Sequence, residues 1–219
     1  MICTSSYNDW QSDKYKTYSI SGDCGKDANY KGECYSKLAP KLSFWKEWHN
    51  NIGKIDEEKN NRYYVQEYWD QVLSKLDPRE VFNDLDGSVL LCYESNTKFC
   101  HRHIVSAWFE ILLDVKISEV KAKDYQVEKI DRPEYIKQYL DAAMRLNRNM
   151  RGFKSLRALY LFEEGEKLEA KAYELEKETD KHYDGYRQRA CFLRCEADKA
   201  EDEYNEIQKQ KVLCPTITL

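Results

Sequence analysis

Two rhythms divide the chain. Up to about residue 122, short apolar runs alternate with amphipathic stretches; beyond about residue 131, only the helical rhythm remains. Ile2-Cys3-Thr4 and Lys16 to Ile20 read as short strands, and Gly22, Gly25 and Gly32 punctuate the loop after them. Asn61 to Leu76 carries Tyr64, Tyr68, Val72 and Leu76 at i, i+4 spacing, which predicts an amphipathic helix. Asp77-Pro78-Arg79-Glu80 is a capped helix start, leading to Leu85 and an Asp86-Gly87 turn. Ser88 to Cys92 holds four consecutive apolar residues between turn signals, the pattern of a buried parallel strand. A polar loop from Glu94 to Thr97, a helix from about Lys98 to Leu113 and a strand from Lys116 to Val120 complete a βαβ unit.

The second half starts at another capped helix, Asp131-Arg132-Pro133-Glu134. Tyr183, Tyr186, Ala190, Leu193, Ala197, Ala200, Tyr204 and Ile207 then alternate spacings of three and four. Leu161, Gly165, Leu168, Ala172 and Leu175 keep the same rhythm before them. A turn between Thr179 and Gly185 makes these two seams an antiparallel hairpin; without it they form one long helix. Small residues on the seams imply close helix approach, and such a stripe is ordinarily packing, within the chain or across a dimer. The expected fold is therefore α/β: a small mixed or parallel sheet domain over 1–122, then an all-α antiparallel hairpin over 131–212.

Composition narrows the class. Of 219 residues 42% are apolar and 34% charged, enough for a core under a wet surface, while 8 Gly and 4 Pro argue against disorder or a turn-rich barrel. No apolar run approaches a bilayer span, and the Met1-Ile2-Cys3-Thr4 start lacks a secretory pattern, so a cytoplasmic protein is expected. The net charge of −4 hides no polarised arm: 131–219 carries 17 basic and 18 acidic residues, so nucleic acid is not a favoured partner. The 8 cysteines form no Cys-x-x-Cys pair and read as reduced thiols, most of them small apolar residues. Trp45, Trp48, Tyr63, Tyr64, Tyr68 and Trp69 crowd one region, where helix packing is preferred over base stacking.

The stretch from Leu90 to His103 stands apart, because it joins the C-terminal end of a buried strand to the next helix, the edge where open α/β sheets bind ligands. With Thr97 as N-cap, Cys100 falls at the third helical position, beside the positive helix end and Arg102, where a thiolate is favoured. The helical wheel turns Cys100 and His101 toward the sheet and His103 outward. Three uses compete: a nucleophile site, with Cys92 or Cys100 attacking, His101 and Glu94 moving protons and Arg102 holding an anion; an anion-binding loop without a covalent step; and zinc ligated by Cys92, Cys100 and one His. Zinc is the weakest, since His101 and His103 diverge on a helix and no fourth ligand is evident. The plain alternative makes both cysteines core and Arg102 half of a structural ion pair.

Val89-Leu90-Leu91-Cys92-Tyr93-Glu94, followed by Phe99-Cys100-His101-Arg102-His103-Ile104-Val105 and Trp108, resembles the signature of Domain of Unknown Function 488 (DUF488). The Ile2-to-Tyr7 opening, Ser19-Ile20-Ser21, Leu38-Ala39-Pro40 and the helix before Asp77-Pro78 resemble it too, over about residues 1–120. The resemblance implies Cys92, Glu94, Cys100, His101 and Arg102 clustered at one sheet end, and tips the balance toward a functional pocket. If the first strand runs parallel to Val89–Cys92, Ser5, Ser6 and Tyr7 line it with Arg102 as anion-binding residues, although each alone reads as a turn residue. The expected function is a cysteine-dependent enzyme acting on a phosphate-bearing small molecule such as a nucleotide or nucleoside, with no metal or cofactor. The alternative is a non-catalytic nucleotide-binding or anion-binding module. The helical extension is expected to serve a homodimer or a partner surface.

Overall fold

The structure, a computed structural model, describes residues 1–10, 13–121, 126–128, 134–146, 148–179 and 182–213. Internal contacts divide the chain into two units, Met1–Leu146 and Asn147–Leu219.

The first unit is built on one sheet. Its strands are β1 (Cys3–Ser6), β2 (Lys16–Ser19), β3 (Glu33–Cys34), β4 (Ser88–Cys92), β5 (Ser118–Lys121) and β6 (Gln126–Glu128), in the order β3-β2-β4-β1-β5-β6. The first five in that order are mutually parallel and β6 is antiparallel to β5. All five residues of β4 are buried, as its unbroken apolar run demands of a central parallel strand. Register pairs Thr4 with Leu90 and Ser6 with Cys92, so these share one face; Cys3, Ser5, Val89 and Leu91 share the other. On that second face Val89 and Leu91 cluster with Trp10, against Cys3, Tyr7, Tyr30 and Val120.

Helices α1 (Leu42–Asn51), α2 (Glu57–Gln71), α3 (Pro78–Asp84), α4 (His101–Leu113) and α5 (Glu134–Arg145) complete the unit. Asp56 caps α2 by accepting the Lys59 amide at 2.8 Å, so the helix starts four residues before Asn61. Asp77 accepts the Arg79 and Glu80 amides and Pro78 occupies the first turn of α3, as its sequence anticipates. Part of the aromatic run is packing: Tyr64 and Tyr68 are buried edge-on to Phe44, and Trp48 donates its indole N–H to Asn61 at 2.9 Å, while Trp45 is exposed. Helix α5 packs on α2 and α4, with Tyr139 donating to Glu58 and Asn61 donating to Tyr135. Its expected cap at 131–133 lies outside the described residues.

The second unit is a helical pair, α6 (Leu156–Thr179) and α7 (Asp184–Leu213). The two helices lie side by side, which excludes one continuous helix. Pairs of Glu169 with Arg194 and Glu176 with Arg187, and Glu201 accepting the Lys154 and Ser155 amides, fix the antiparallel sense. The seam is the one the spacing predicts: Leu161, Gly165, Ala172, Ala190, Leu193, Ala197 and Ala200 are buried. Gly165 permits the approach, since a Cβ there would stand 3.1 Å from the Ala190 carbonyl oxygen. Toward the end of α7 the seam fades, with Ile207 half exposed.

The expectation that the cysteines are reduced thiols is corrected at one pair. Cys24 and Cys34 form a disulfide with Cα atoms 5.4 Å apart. Pairing of β3 with β2 brings Cys34 back beside the loop after β2, and a two-residue strand leaves no periodicity by which to foresee it. Cys92 and Cys100 are buried free thiols, Cys3 is half-buried, and Cys191 and Cys195 are exposed; Cys214 lies outside the described residues. Among the described residues no helix is long and apolar enough to cross a membrane.

Candidate functional site

Parallel register brings the ends of β1, β2 and β4 to one edge, where Ser6, Ser19 and Cys92 are the last strand residues. Helix α4 starts beside them at His101, three residues later than expected. Cys100 is its N-cap, extended at φ −152° and ψ 143°, not the third residue of the helix. The extended backbone at Cys100 and the first helical turn at His101 let two adjacent side chains face the same point. Cys92 Sγ, Cys100 Sγ and a His101 ring nitrogen all lie within 4.8 Å of one another, and all three residues are buried.

His101 Nδ1 is 3.5 Å from Cys92 Sγ, and Nε2 is 2.9 Å from the Ile20 carbonyl. A carbonyl only accepts, so Nε2 carries a proton and Nδ1 is left to deal with sulfur. Burial pushes the Cys92 thiol well up, and its hydrogen bond to Cys100 adds to the rise. Burial acts on Cys100 in the same sense but is outweighed: the Cys92 hydrogen bond, the Arg102 charge and His101 hold it well below the ordinary thiol value. Of the two coupled thiols, Cys100 is therefore the one whose charged form the surroundings favour. Burial first, then the Cys100 charge, raises the carboxyl of half-buried Glu94.

Arg102 is adjacent but committed. Its Nη2 meets Glu119 at 2.8 Å and its Nη1 donates to the Glu94 carbonyl oxygen at 2.6 Å, with the side chain wholly buried. Thr4 donates to the same Glu119 carboxylate at 2.6 Å. The cation expected to clamp a ligand is balanced from within the chain, and Arg102 acts on the site through its charge on Cys100. Glu119 escaped sequence reasoning; its one signal is a carboxylate in the middle of the run from Lys116 to Val120. His103, expected on the outer side of α4, is fully buried, because the sheet, α3 and α5 cover that helix on several sides at once.

Ser5 lies on the sheet face opposite Cys92, whereas Ser6 shares the Cys92 face. Ser5 donates to the Val120 carbonyl and Ser6 to Asp9, each at normal distance, so both hold the strand and its turn. Tyr7 does stand at the edge. Its hydroxyl bonds Ser19 at 2.6 Å and Ser21 at 3.0 Å, its ring packs edge-on to Tyr93, and burial pushes it up to about 12. Ser21 passes the network on to Asp23, which also accepts from Tyr93 and from the Gly25 and Asp27 amides. Gly25 is required there: its φ is +74°, and a Cβ would meet the Tyr7 hydroxyl at 2.8 Å. Asp23 and Tyr93 escape sequence reasoning as site residues, because the contact that joins them spans 70 positions. Phe99 closes one side against Trp48 and Tyr64.

Fold and site together define a small parallel-sheet domain with a buried thiol–imidazole cluster where a central strand meets a helix N-terminus. Residues 13–111 match the family DUF488-N3a, described as the active DUF488-N3 subclade, so this stretch of the α/β unit is DUF488-like. The match takes in Cys92, Glu94, Cys100, His101 and Arg102, and stops short of β1 and Glu119. No curated protein and no solved structure matches the chain.

Proposed function

We propose that the chain is a cysteine-dependent enzyme with Cys100 as nucleophile. The observation that carries this is the convergence of two thiols and one imidazole within 4.8 Å at the N-terminus of α4, next to the Arg102 charge. The word "active" in the family description agrees with it. In the reaction, the Cys100 sulfur bonds to an electrophilic centre while the leaving group departs with its electron pair and takes a proton from Glu94 or His101. Water then attacks, returns a proton to the same group, and the thiolate leaves. The substrate class is a phosphate-bearing small molecule such as a nucleotide or nucleoside. Arg102 is balanced by Glu119, so the anion falls to the first-turn amides of α4.

The test is alkylation by iodoacetamide of the chelator-treated protein, read cysteine by cysteine, with and without a nucleotide panel. Cys100 should react at least about tenfold faster than Cys3 and be protected by a bound nucleotide. Slow alkylation of Cys100 overturns the reading. Nucleotide binding that survives Cys100→Ser, with no turnover in the parent chain, leaves the non-catalytic binding module instead.

A further inference from the structure

We propose that Cys92, Cys100 and His101 also form a site for one soft divalent ion, Zn2+, whose capture silences the reactive thiolate. Uptake itself does not depend on the enzymatic reading; only the silencing rests on it.

Donor type comes first. Two sulfurs and one imidazole nitrogen are a borderline-soft set that zinc accepts readily, and three protein ligands leave a fourth position for water. Distances agree. Zn–S of about 2.3 Å and Zn–N of about 2.0 Å in a tetrahedron set sulfur and nitrogen about 3.5 Å apart and the two sulfurs about 3.8 Å apart. Cys92 Sγ and His101 Nδ1 are 3.5 Å apart, and the whole trio fits within 4.8 Å. Little movement is needed to close it on an ion.

An independent observation is the orientation of the imidazole. His101 donates Nε2–H to the Ile20 carbonyl at 2.9 Å, the outer hydrogen bond by which metal-binding histidines are commonly aimed, and Ile20 is itself tied to Leu91 at 3.1 Å. Charge agrees as well. Arg102 and Glu119 neutralise each other, so a divalent ion on two thiolates leaves the buried pocket neutral. The divergence of His101 from His103 is no obstacle, because the third ligand is Cys92 at the strand end and not a second histidine.

The experiment uses the full chain carrying Cys191→Ser and Cys195→Ser, which removes the exposed thiols of α7, after chelator treatment. Zn2+ is titrated against a chromophoric chelator, Co2+ is used for spectra, and Cys100 alkylation is followed with and without Zn2+. Expected are one equivalent of metal, a thiolate-to-cobalt charge-transfer band, and loss of affinity by at least about 100-fold in Cys92→Ser and in Cys100→Ser, with circular dichroism unchanged. Cys3→Ser should keep full affinity. Uptake no greater than in the Cys92→Ser/Cys100→Ser double variant, or a cobalt spectrum without the thiolate band, overturns the site. Fast alkylation with no metal uptake sinks this inference and leaves the enzymatic reading standing. Metal uptake with slow alkylation of the metal-free chain does the reverse.

Discussion

Arg102 and Glu119 form an ion pair 2.8 Å long with both side chains out of water, tying the first turn of α4 to β5 and, through Thr4, to β1. Removing one partner strands a buried charge. Glu119→Ala should therefore lose about 3–5 kcal/mol in urea denaturation. The double change Arg102→Met/Glu119→Leu should lose less than Glu119→Ala alone, because no charge is left behind. Equal losses would show that the pair acts by packing and not by charge.

Asp23 should set part of the acid limit of stability. Burial raises its carboxyl, but the Tyr93 and Ser21 hydroxyls and the Asp27 and Gly25 amides outweigh that and hold it well below the usual range. A group lowered on folding contributes in full above its unfolded value of about 3.9 and loses that contribution as pH falls toward the folded one. Urea midpoints followed from about pH 6 to about pH 2.5 should fall less steeply in Asp23→Asn than in the parent. Parallel curves would remove Asp23 from the account.

The Cys24–Cys34 disulfide closes a loop with a sequence separation of 10 residues. Loop-closure entropy for that size is about 3 kcal/mol. The Cys24→Ser/Cys34→Ser chain should be less stable by roughly that amount, and the parent should fall to the same value under reductant. A parent indifferent to reductant would mean that the bridge does not form in solution.

Ala197 lies fully buried on the seam between α6 and α7, whereas Cys195 on the same helix is exposed. Ala197→Leu should cost about 1–3 kcal/mol by overpacking, since leucine itself is a good helix former. Cys195→Leu should stay within about 0.5 kcal/mol of the parent. Thermal melts followed in the far ultraviolet give both values, and an equal effect of the two would mean that the seam is not tightly packed.

The legible parts of this molecule are those whose cause is local. Ser88–Cys92 is a strand because apolar residues run unbroken between turns, and α3 starts at Pro78 because Asp77 caps it. The α6–α7 seam follows from spacings of three and four. Each signal is carried by residues within about one helical turn of one another. The start of α4 was misplaced for the same reason: Thr97 is a good cap by type, but the structure places the cap at Cys100.

By itself, then, the sequence determined the α/β-then-helical order, the seam, and the loop in which Cys92, Glu94, Cys100 and His101 sit. Tertiary structure alone decided that Arg102 pairs with Glu119, that His103 is buried, that Ser5 and Ser6 bond Val120 and Asp9, and that Cys24 meets Cys34. It also decided that Cys92, Cys100 and His101 share one point. The physical reason is register. Parallel pairing of β1, β2 and β4 brings strand ends from distant parts of the chain to one edge, and neither periodicity nor capping encodes which side chains meet there.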